Sequence, residues 1–197
     1  MTNLRETALP NLERRLRDVG LRSLLFLRRL HSVEWQDGNG GIGDYLSERK
    51  SFGALRNAER VTLSAKIGGA ESAREEWLIL HAEATPPTEI IERLLLEAED
   101  DDAKERITRS ASQPQPIDVA FRVVAELLVP TDDCVMFAYL PTQKETHLKF
   151  LFQARYVTTP GRDNIEKDSE WNKWLLKETA AFLPTTCWAS GTRVFNR

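Results

Sequence analysis

The chain has 197 residues, with 27 Lys and Arg against 30 Asp and Glu, and a formal net charge of −3. Apolar residues make up 41%, which is enough for an ordinary core in one domain or two small ones. A nucleic-acid groove normally needs a basic excess, so the charge argues against that partner. The longest apolar stretch near the start, "SLLFLRRL", falls far short of the about 20 residues of a membrane span. The polar start shows no signal-peptide core, so we expect a cytoplasmic protein that does not bind membranes.

The first half of the chain predicts a helix, two hairpins and a second helix. Leucines at helical spacing predict one helix broken near Gly20, or two short helices, over residues 10–30. The glycine-rich loop "QDGNGGIGDY" predicts a hairpin turn. The segments "RVTLSAKI" (60–67) and "EWLILHAEA" (76–84) predict antiparallel strands joined by "GGAESARE". The stretch "TPPTEIIERLLLEAE" predicts a helix, and the acidic residues 97–105 predict a flexible linker or a frayed helix end.

The second half of the chain predicts three strands and a closing helix. The strands are "IDVAFRVV" (117–124), "CVMFAYLP" (134–141) and "HLKFLFQARYVTT" (147–159). The helix over 167–183 has Asp168 or Ser169 as its cap. Clustered strands favour an α+β fold over a strict βαβ alternation. The predicted organisation is a helical segment (1–30), a β-rich segment with a helix (31–105), a strand-strand-strand-helix unit (106–184) and an irregular tail (185–197).

The common catalytic and metal-binding patterns find little support in this sequence. His31, His81 and His147 have no second ligand at zinc-site spacing, so we expect no metal site. The letters G-x-G-x-x-G occur from Gly38 to Gly43, but the strand and helix that a dinucleotide site requires are not predicted around them. Cys134 lies within an apolar strand, where a thiol is normally packing. No residue set therefore predicts a free-standing enzyme.

The stretch "RYVTTPGRDNI" (155–165) ends a predicted strand with one arginine on a turn. Pro160 suits the start of the turn, and Gly161 permits a backbone conformation that other residues resist. Arg162 is then projected beyond the strand end. Two interpretations stay open: a solvated surface arginine, or a guanidinium placed to meet a phosphate.

Five segments, taken in order, resemble a known region of one protein family. They are "LRSLLFLRRLHSVEW", "EEWLIL", "IDVAFRVV", "CVMFAYLPTQKETHLKFLFQARYVTTPGRDNI" and "SEWNKWLL". Together they resemble the region that follows the ATP-binding domain in bacterial sacsin-like proteins. Those proteins are relatives of the ninety-kilodalton heat-shock chaperone within the GHKL ATPases. The resemblance covers most of residues 12–183 and is strongest over 134–165. It implies a transducer, or middle, domain: an α+β unit with a mixed four-stranded sheet, preceded by a helical and β-hairpin segment.

The resemblance also implies a role for the turn. Arg162 aligns with the basic residue that meets the γ-phosphate of ATP, and the loop around it would be shaped by Thr159, Pro160, Gly161 and Asn164. ATP and Mg²⁺ would be held by a GHKL ATP-binding domain on the same protein or a neighbouring chain, so this chain has no cofactor of its own and is not an enzyme alone. A client protein is a further expected partner.

The Asn-bearing helix and the DxGxG turn of the ATP-binding domain are missing, so we expect a fragment or the product of a split gene. The alternative function is a non-catalytic protein-binding or scaffold module. Its candidate surfaces are the apolar stretch Leu21–Leu30 and the Trp171/Trp174 face.

Overall fold

The computed structural model describes residues 20–36, 40–53 and 57–183. These residues form one mixed sheet of nine strands, three α-helices and a short 3-10 helix (Leu21–Leu24). The strands are β1 (Ser32–Gln36), β2 (Ile42–Ser51), β3 (Ala58–Ile67), β4 (Ala70–Ala84), β5 (Gln115–Val124), β6 (Leu127–Val129), β7 (Val135–Ala138), β8 (Leu140–Glu145) and β9 (Leu151–Ala154). The α-helices are α1 (Thr88–Glu97), α2 (Asp101–Ala111) and α3 (Glu170–Phe182).

The α+β class is confirmed, but the sheet is larger than the four strands that the resemblance implies. Its order is β1-β2-β3-β4-β5-β9-β7-β8, and β6 pairs with β5 off this path. The β7–β9 pair is parallel, while the other pairs are antiparallel. The long strand β4 pairs with β3 on one side and with β5 on the other. The strands of both halves of the chain therefore belong to one sheet, and the predicted boundary at residue 105 falls between β4 and β5.

The sheet is covered on both faces by different elements. Strand β5 sends Ile117, Val119 and Phe121 to one face, which α1 and α3 cover. On the opposite face, Ala120 and Leu151 pack in a second cluster with the residues that follow the 3-10 helix. Alternate residues of a strand point to opposite faces, so a sheet buried on both sides reads as a continuous apolar run.

The predicted helix over residues 20–30 is wrong beyond one 3-10 turn. Leu24, Leu25 and Phe26 are all almost fully buried against the sheet. Three successive residues cannot share one face of an α-helix, so the chain unwinds to bury them all. Arg22 holds the turn to β4 with two hydrogen bonds of 3.1 Å to Glu75. The predicted helix at 10–19 and the predicted tail at 185–197 lie outside the described residues.

The predicted flexible linker at residues 97–105 is also wrong, because α2 occupies most of it. Asp100 caps this helix by accepting a hydrogen bond of 2.6 Å from the backbone N–H of Ala103. Acidic residues in a first turn are favourable at the positive end of a helix dipole. Arg106 pairs with Asp102 one turn earlier. The acidic run is therefore a helix start.

The remaining strands are confirmed in position but differ in extent. The predicted connection between β3 and β4 shrinks to Gly68 and Gly69, whose positive φ angles of 59° and 82° suit a two-residue hairpin turn. The predicted strand at 134–141 is split into β7 and β8 at Tyr139, which has a φ of 65°. The predicted strand at 147–159 is regular only over Leu151–Ala154.

Helices α1 and α3 are confirmed close to their predicted bounds. Ser169 is the cap of α3, with its hydroxyl accepting from the backbone N–H of Asn172 at 3.2 Å. The predicted face of Trp171, Trp174 and Leu175 is buried against the sheet. Among the described residues, none of the helices combines the length and the apolar character needed to cross a membrane.

Candidate functional site

The residues after β9 fold into a short hairpin that carries Arg162 near its tip. Thr158 and Ile165 form an antiparallel bridge, and the N–H of Glu166 donates to the carbonyl of Val157 at 2.9 Å. We call residues 157–166 the arginine hairpin. It is too short to be stable as an isolated structure, so the rest of the fold must support it.

The tip is a β-turn, but the unusual backbone conformation is not where the sequence predicts it. The N–H of Arg162 donates to the carbonyl of Thr159 at 2.8 Å, which places Pro160 and Gly161 at the two central positions. Gly161 does not have a positive φ, whereas Arg162 has a φ of 57°. The expectation that Gly161 supplies the left-handed conformation is therefore wrong. An arginine occupies a position that glycine or asparagine would normally fill.

The side chain of Arg162 is exposed and has one hydrogen bond among the described residues. Its Nη2 donates to the carbonyl of Ala138 at 3.0 Å. Among the described residues, no carboxylate lies within ion-pair distance of the Arg162 guanidinium. The adjacent Asp163 accepts from the Thr159 hydroxyl at 2.6 Å instead. That hydrogen bond lowers the pKa of Asp163, so this carboxylate is ionised at neutral pH. The other N–H groups of the guanidinium remain available to an incoming ligand.

The loop residues predicted to shape the turn are brought together around it. The hydroxyl oxygen of Thr159 accepts from the N–H of Asn164 at 3.3 Å, and the N–H of Thr159 donates to the carbonyl of Asn164 at 3.0 Å. The side-chain oxygen of Asn164 accepts from the next N–H, that of Ile165, at 2.8 Å. These bonds close the tip and hold the backbone from which the Arg162 side chain projects.

The sequence reasoning missed the residue that fixes the base of the arginine hairpin. Asn172 on α3 is 1% exposed. Its Oδ1 accepts from the N–H of Val157 at 2.8 Å, while its Nδ2 donates to the carbonyls of Val157 and Glu166 at 2.8 and 2.9 Å. One amide therefore joins both arms of the hairpin to the helix. The signal was a lone asparagine between Trp171 and Trp174 in a stretch that packs on the core.

The arginine hairpin also covers the outermost strand of the sheet. The N–H of Gln143 on β8 donates to the carbonyl of Asp163 at 2.9 Å. A strand at the edge of a sheet presents unpaired backbone groups, so this contact satisfies one of them. The hairpin is thus held at its base by Asn172 and near its tip by β8.

The carbonyl that receives Arg162 belongs to a second irregular point in the backbone. Ala138 precedes Tyr139, whose N–H donates to the side-chain oxygen of Gln153 at 3.0 Å. The Nε of Arg155 donates to the hydroxyl of Tyr139. Arg155 and Arg162 therefore both contact residues at the β7–β8 junction. Neither Tyr139 nor Gln153 was predicted to be near the turn, because the predicted strand at 134–141 ran through this junction.

A separate polar network lies on the opposite face of the sheet. The Nδ1 of His81 lies 2.7 Å from Asp118 Oδ1, and its Nε2 lies 3.4 Å from Glu59 Oε1. Burial opposes the charged imidazolium, but the two carboxylates outweigh burial and raise the pKa of His81. Arg28 also contacts Asp118 at 2.7 Å. This network ties the segment after the 3-10 helix to β4 and β5.

The other patterns considered from the sequence do not form sites in the described residues. Within these ranges no three His, Cys, Asp or Glu side chains are arranged to hold a metal ion. Gly43 lies inside β2, opposite Trp35 on β1, so a strand follows the glycine loop where a dinucleotide site needs a helix. Gly38 and Asn39 lie outside the described residues. The two candidate partner surfaces are largely core, since Leu24, Leu25, Trp171 and Trp174 are buried.

The comparisons with known proteins give one short similarity. The chain is similar to Protein NO VEIN of Arabidopsis thaliana, with 42% identity over 43 residues. The matched part is 22% of this chain and spans only 2% of the length of that protein. No protein-family model matches the chain, and no solved structure matches it. A match of this length is a local similarity and assigns no family.

Proposed function

We propose that this chain is the transducer region of a sacsin-like, chaperone-like GHKL ATPase. In this role it supplies Arg162 to the γ-phosphate of ATP that a separate ATP-binding domain holds together with Mg²⁺. Hydrolysis in that domain is then coupled to movement of the sheet and helices described above. The chain would hydrolyse no ATP alone, and it would work in the cytoplasm with its ATP-binding domain and a client protein.

The observation that carries the proposal is the state of the Arg162 side chain. The guanidinium is exposed, makes no ion pair in the described part of the chain, and stands on a tip closed by hydrogen bonds. A pre-positioned cation loses little conformational freedom when it meets a phosphate, and it stabilises charge that develops in the transition state. Arginines that act in this way contribute about 10³ to 10⁵ in rate in other NTPases.

The sheet also supports different roles for its two halves. The run β5-β9-β7-β8 with α3 holds the arginine hairpin, and we assign it to the four-stranded unit of a transducer domain. Strands β1 to β4 extend the same sheet away from the hairpin. Strands β4 and β5 are paired over nine residues, and we propose that this continuous pairing couples the hairpin side of the sheet to the far strands.

The test is reconstitution with the ATP-binding domain of a sacsin-like GHKL ATPase. Wild type, Arg162→Ala and Arg162→Lys are each mixed with that domain, and ATP turnover is measured. We expect Arg162→Ala to lower the stimulated rate at least about tenfold, with partial retention in Arg162→Lys. The matched control is Arg109→Ala, which removes an exposed arginine on α2. Equal rates for wild type and Arg162→Ala would end the proposal.

The non-catalytic binding module remains the second candidate, with a different surface. Leu96 on α1 is 87% exposed, and no residue of this helix is fully buried. Leu96 is therefore the apolar side chain of α1 that this candidate function would test, since the two surfaces predicted from the sequence are largely buried. Under this reading Leu96→Asp abolishes association with a protein partner while Arg162→Ala leaves it intact. The opposite result favours the ATPase proposal.

A further inference from the structure

A cavity of about 790 Å³ opens on the face of the sheet opposite the helices. It lies where the apolar packing of residues 24–26 ends. Its walls come from the segment after the 3-10 helix, including Arg28 and Arg29, and from the end of β9, with Arg155. Its volume lies within the usual range for small-molecule sites. The arginine hairpin does not line it.

The floor of the cavity is polar and deeply buried. Asp118 and Gln153 line the cavity although each is only 2% exposed. The side-chain oxygen of Gln153 accepts from the N–H of Tyr139 at 3.0 Å, which fixes the amide so that Nε2 is the free end. Among the described residues this Nε2 has no acceptor. Because this end of the amide has no acceptor among the described residues, it is available to donate to a ligand in the cavity.

The charges around the cavity are unbalanced. Three arginines and one carboxylate line it, which leaves a surplus of two positive charges. The carboxylate, Asp118, is already paired with Arg28 and His81 at 2.7 Å each. Arg29 and Arg155 pair with no carboxylate in the part of the chain that the structure describes. Two guanidinium groups are therefore uncompensated at the cavity.

We propose that this cavity binds a small phosphorylated molecule, with the phosphate held by Arg29, Arg155 and the Nε2 of Gln153. The hydroxyl of Tyr139 accepts from Arg155, so its own proton is free to donate to the same phosphate. Planar guanidinium groups match phosphate oxygens, and an amide and a hydroxyl complete a donor-only set. The apolar wall of Leu27, Leu30 and Pro116 is left for the organic part of the ligand.

The site is tested with the full chain and inorganic pyrophosphate as the probe, by isothermal titration calorimetry at low salt. We expect saturable binding by wild type, at least about tenfold weaker binding by Arg29→Gln and by Arg155→Gln, and no change in the control Arg109→Gln. Gln153→Glu keeps the acceptor for Tyr139 and replaces the donor with a negative charge, so binding should be lost. Thermal melts establish that each variant is folded.

A second arm separates phosphate from carboxylate. Citrate is titrated under the same conditions, and we expect it to bind more weakly than pyrophosphate. Failure of wild type to bind millimolar pyrophosphate overturns the site. So does an unchanged affinity in Arg155→Gln, a surface variant expected to fold. Citrate binding as tight as pyrophosphate overturns the assignment to phosphate. No residue of the arginine hairpin lines the cavity, so a failure here leaves the proposed ATPase role standing.

Discussion

Replacing Asn172 with alanine should release the arginine hairpin from α3. The substitution removes three hydrogen bonds, of 2.8, 2.8 and 2.9 Å, that join the side chain to the backbone of Val157 and Glu166. Each bond contributes about 1 kcal/mol, and the site is buried, so we expect a loss of about 3 kcal/mol in the free energy of unfolding. For a domain of marginal stability that is a large fraction of the total.

Urea denaturation followed by tryptophan fluorescence measures this loss, since Trp171 and Trp174 flank the mutated residue. Hydrogen exchange of the Val157 N–H gives a local measure, and it should be faster in the variant. Asn172→Asp is a matched variant that keeps the acceptor for Val157 but loses both donors, so it should also be destabilised. Lys173→Ala changes the exposed neighbour and should have little effect. A loss below about 1 kcal/mol in Asn172→Ala would refute the view that this amide holds the hairpin.

Three further predictions concern other parts of the structure. Arg162→Gly should raise stability by up to about 1 kcal/mol in thermal melts, because glycine accepts the positive φ, while ATPase stimulation falls; a drop in melting temperature would contradict this. His81→Gln should flatten the pH dependence of stability. In the wild type the raised pKa of His81 gives stability that is complete below its unfolded pKa and is lost as the pH rises through the folded value; parallel melting curves from pH 5 to 9 would count against the ion-pair network. Asp100→Ala should lower the free energy of unfolding by about 1 kcal/mol and reduce the helical circular dichroism signal. Unchanged spectra would show that the Asp100 cap does not stabilise α2.

The sequence predicted most elements where local patterns were sufficient. The alternation in 60–67, the apolar run in 76–84, the proline-led start of α1 and the serine cap of α3 each act through neighbouring residues, and each element is found. The acidic run at 97–105 misled because charge density suggested disorder, while the same carboxylates cap α2 and pair with its arginines. The helix predicted at 20–30 failed for a different reason: its burial depends on the sheet.

The candidate site also has features that the sequence predicted and features that it did not. The turn, its proline and the projection of Arg162 follow from the letters of "TTPGRDN", and the structure brings those residues together. The left-handed residue could not be assigned, because glycine usually takes that conformation and here Gly161 does not. The hydrogen-bonding roles of Asn172 and Gln153 could not be predicted from the sequence either. Asn172 lies 15 residues from Val157 and 6 from Glu166, and Gln153 lies 14 residues from Tyr139. No pattern in the chain links an amide on a helix or strand to a particular backbone group.

Local chemistry alone predicted the α+β class, most of the strand and helix order, and an exposed arginine on a turn, because propensity, periodicity and turn residues act over a few positions. Tertiary structure decided that nine strands of the described residues join in one sheet, that the arginine hairpin is fastened to α3 and β8, and that Arg29, Arg155 and Gln153 line one cavity. These outcomes depend on backbone groups and charges that are far apart in the chain. Buried polar groups must find hydrogen-bond partners, and only the folded chain brings those partners within reach.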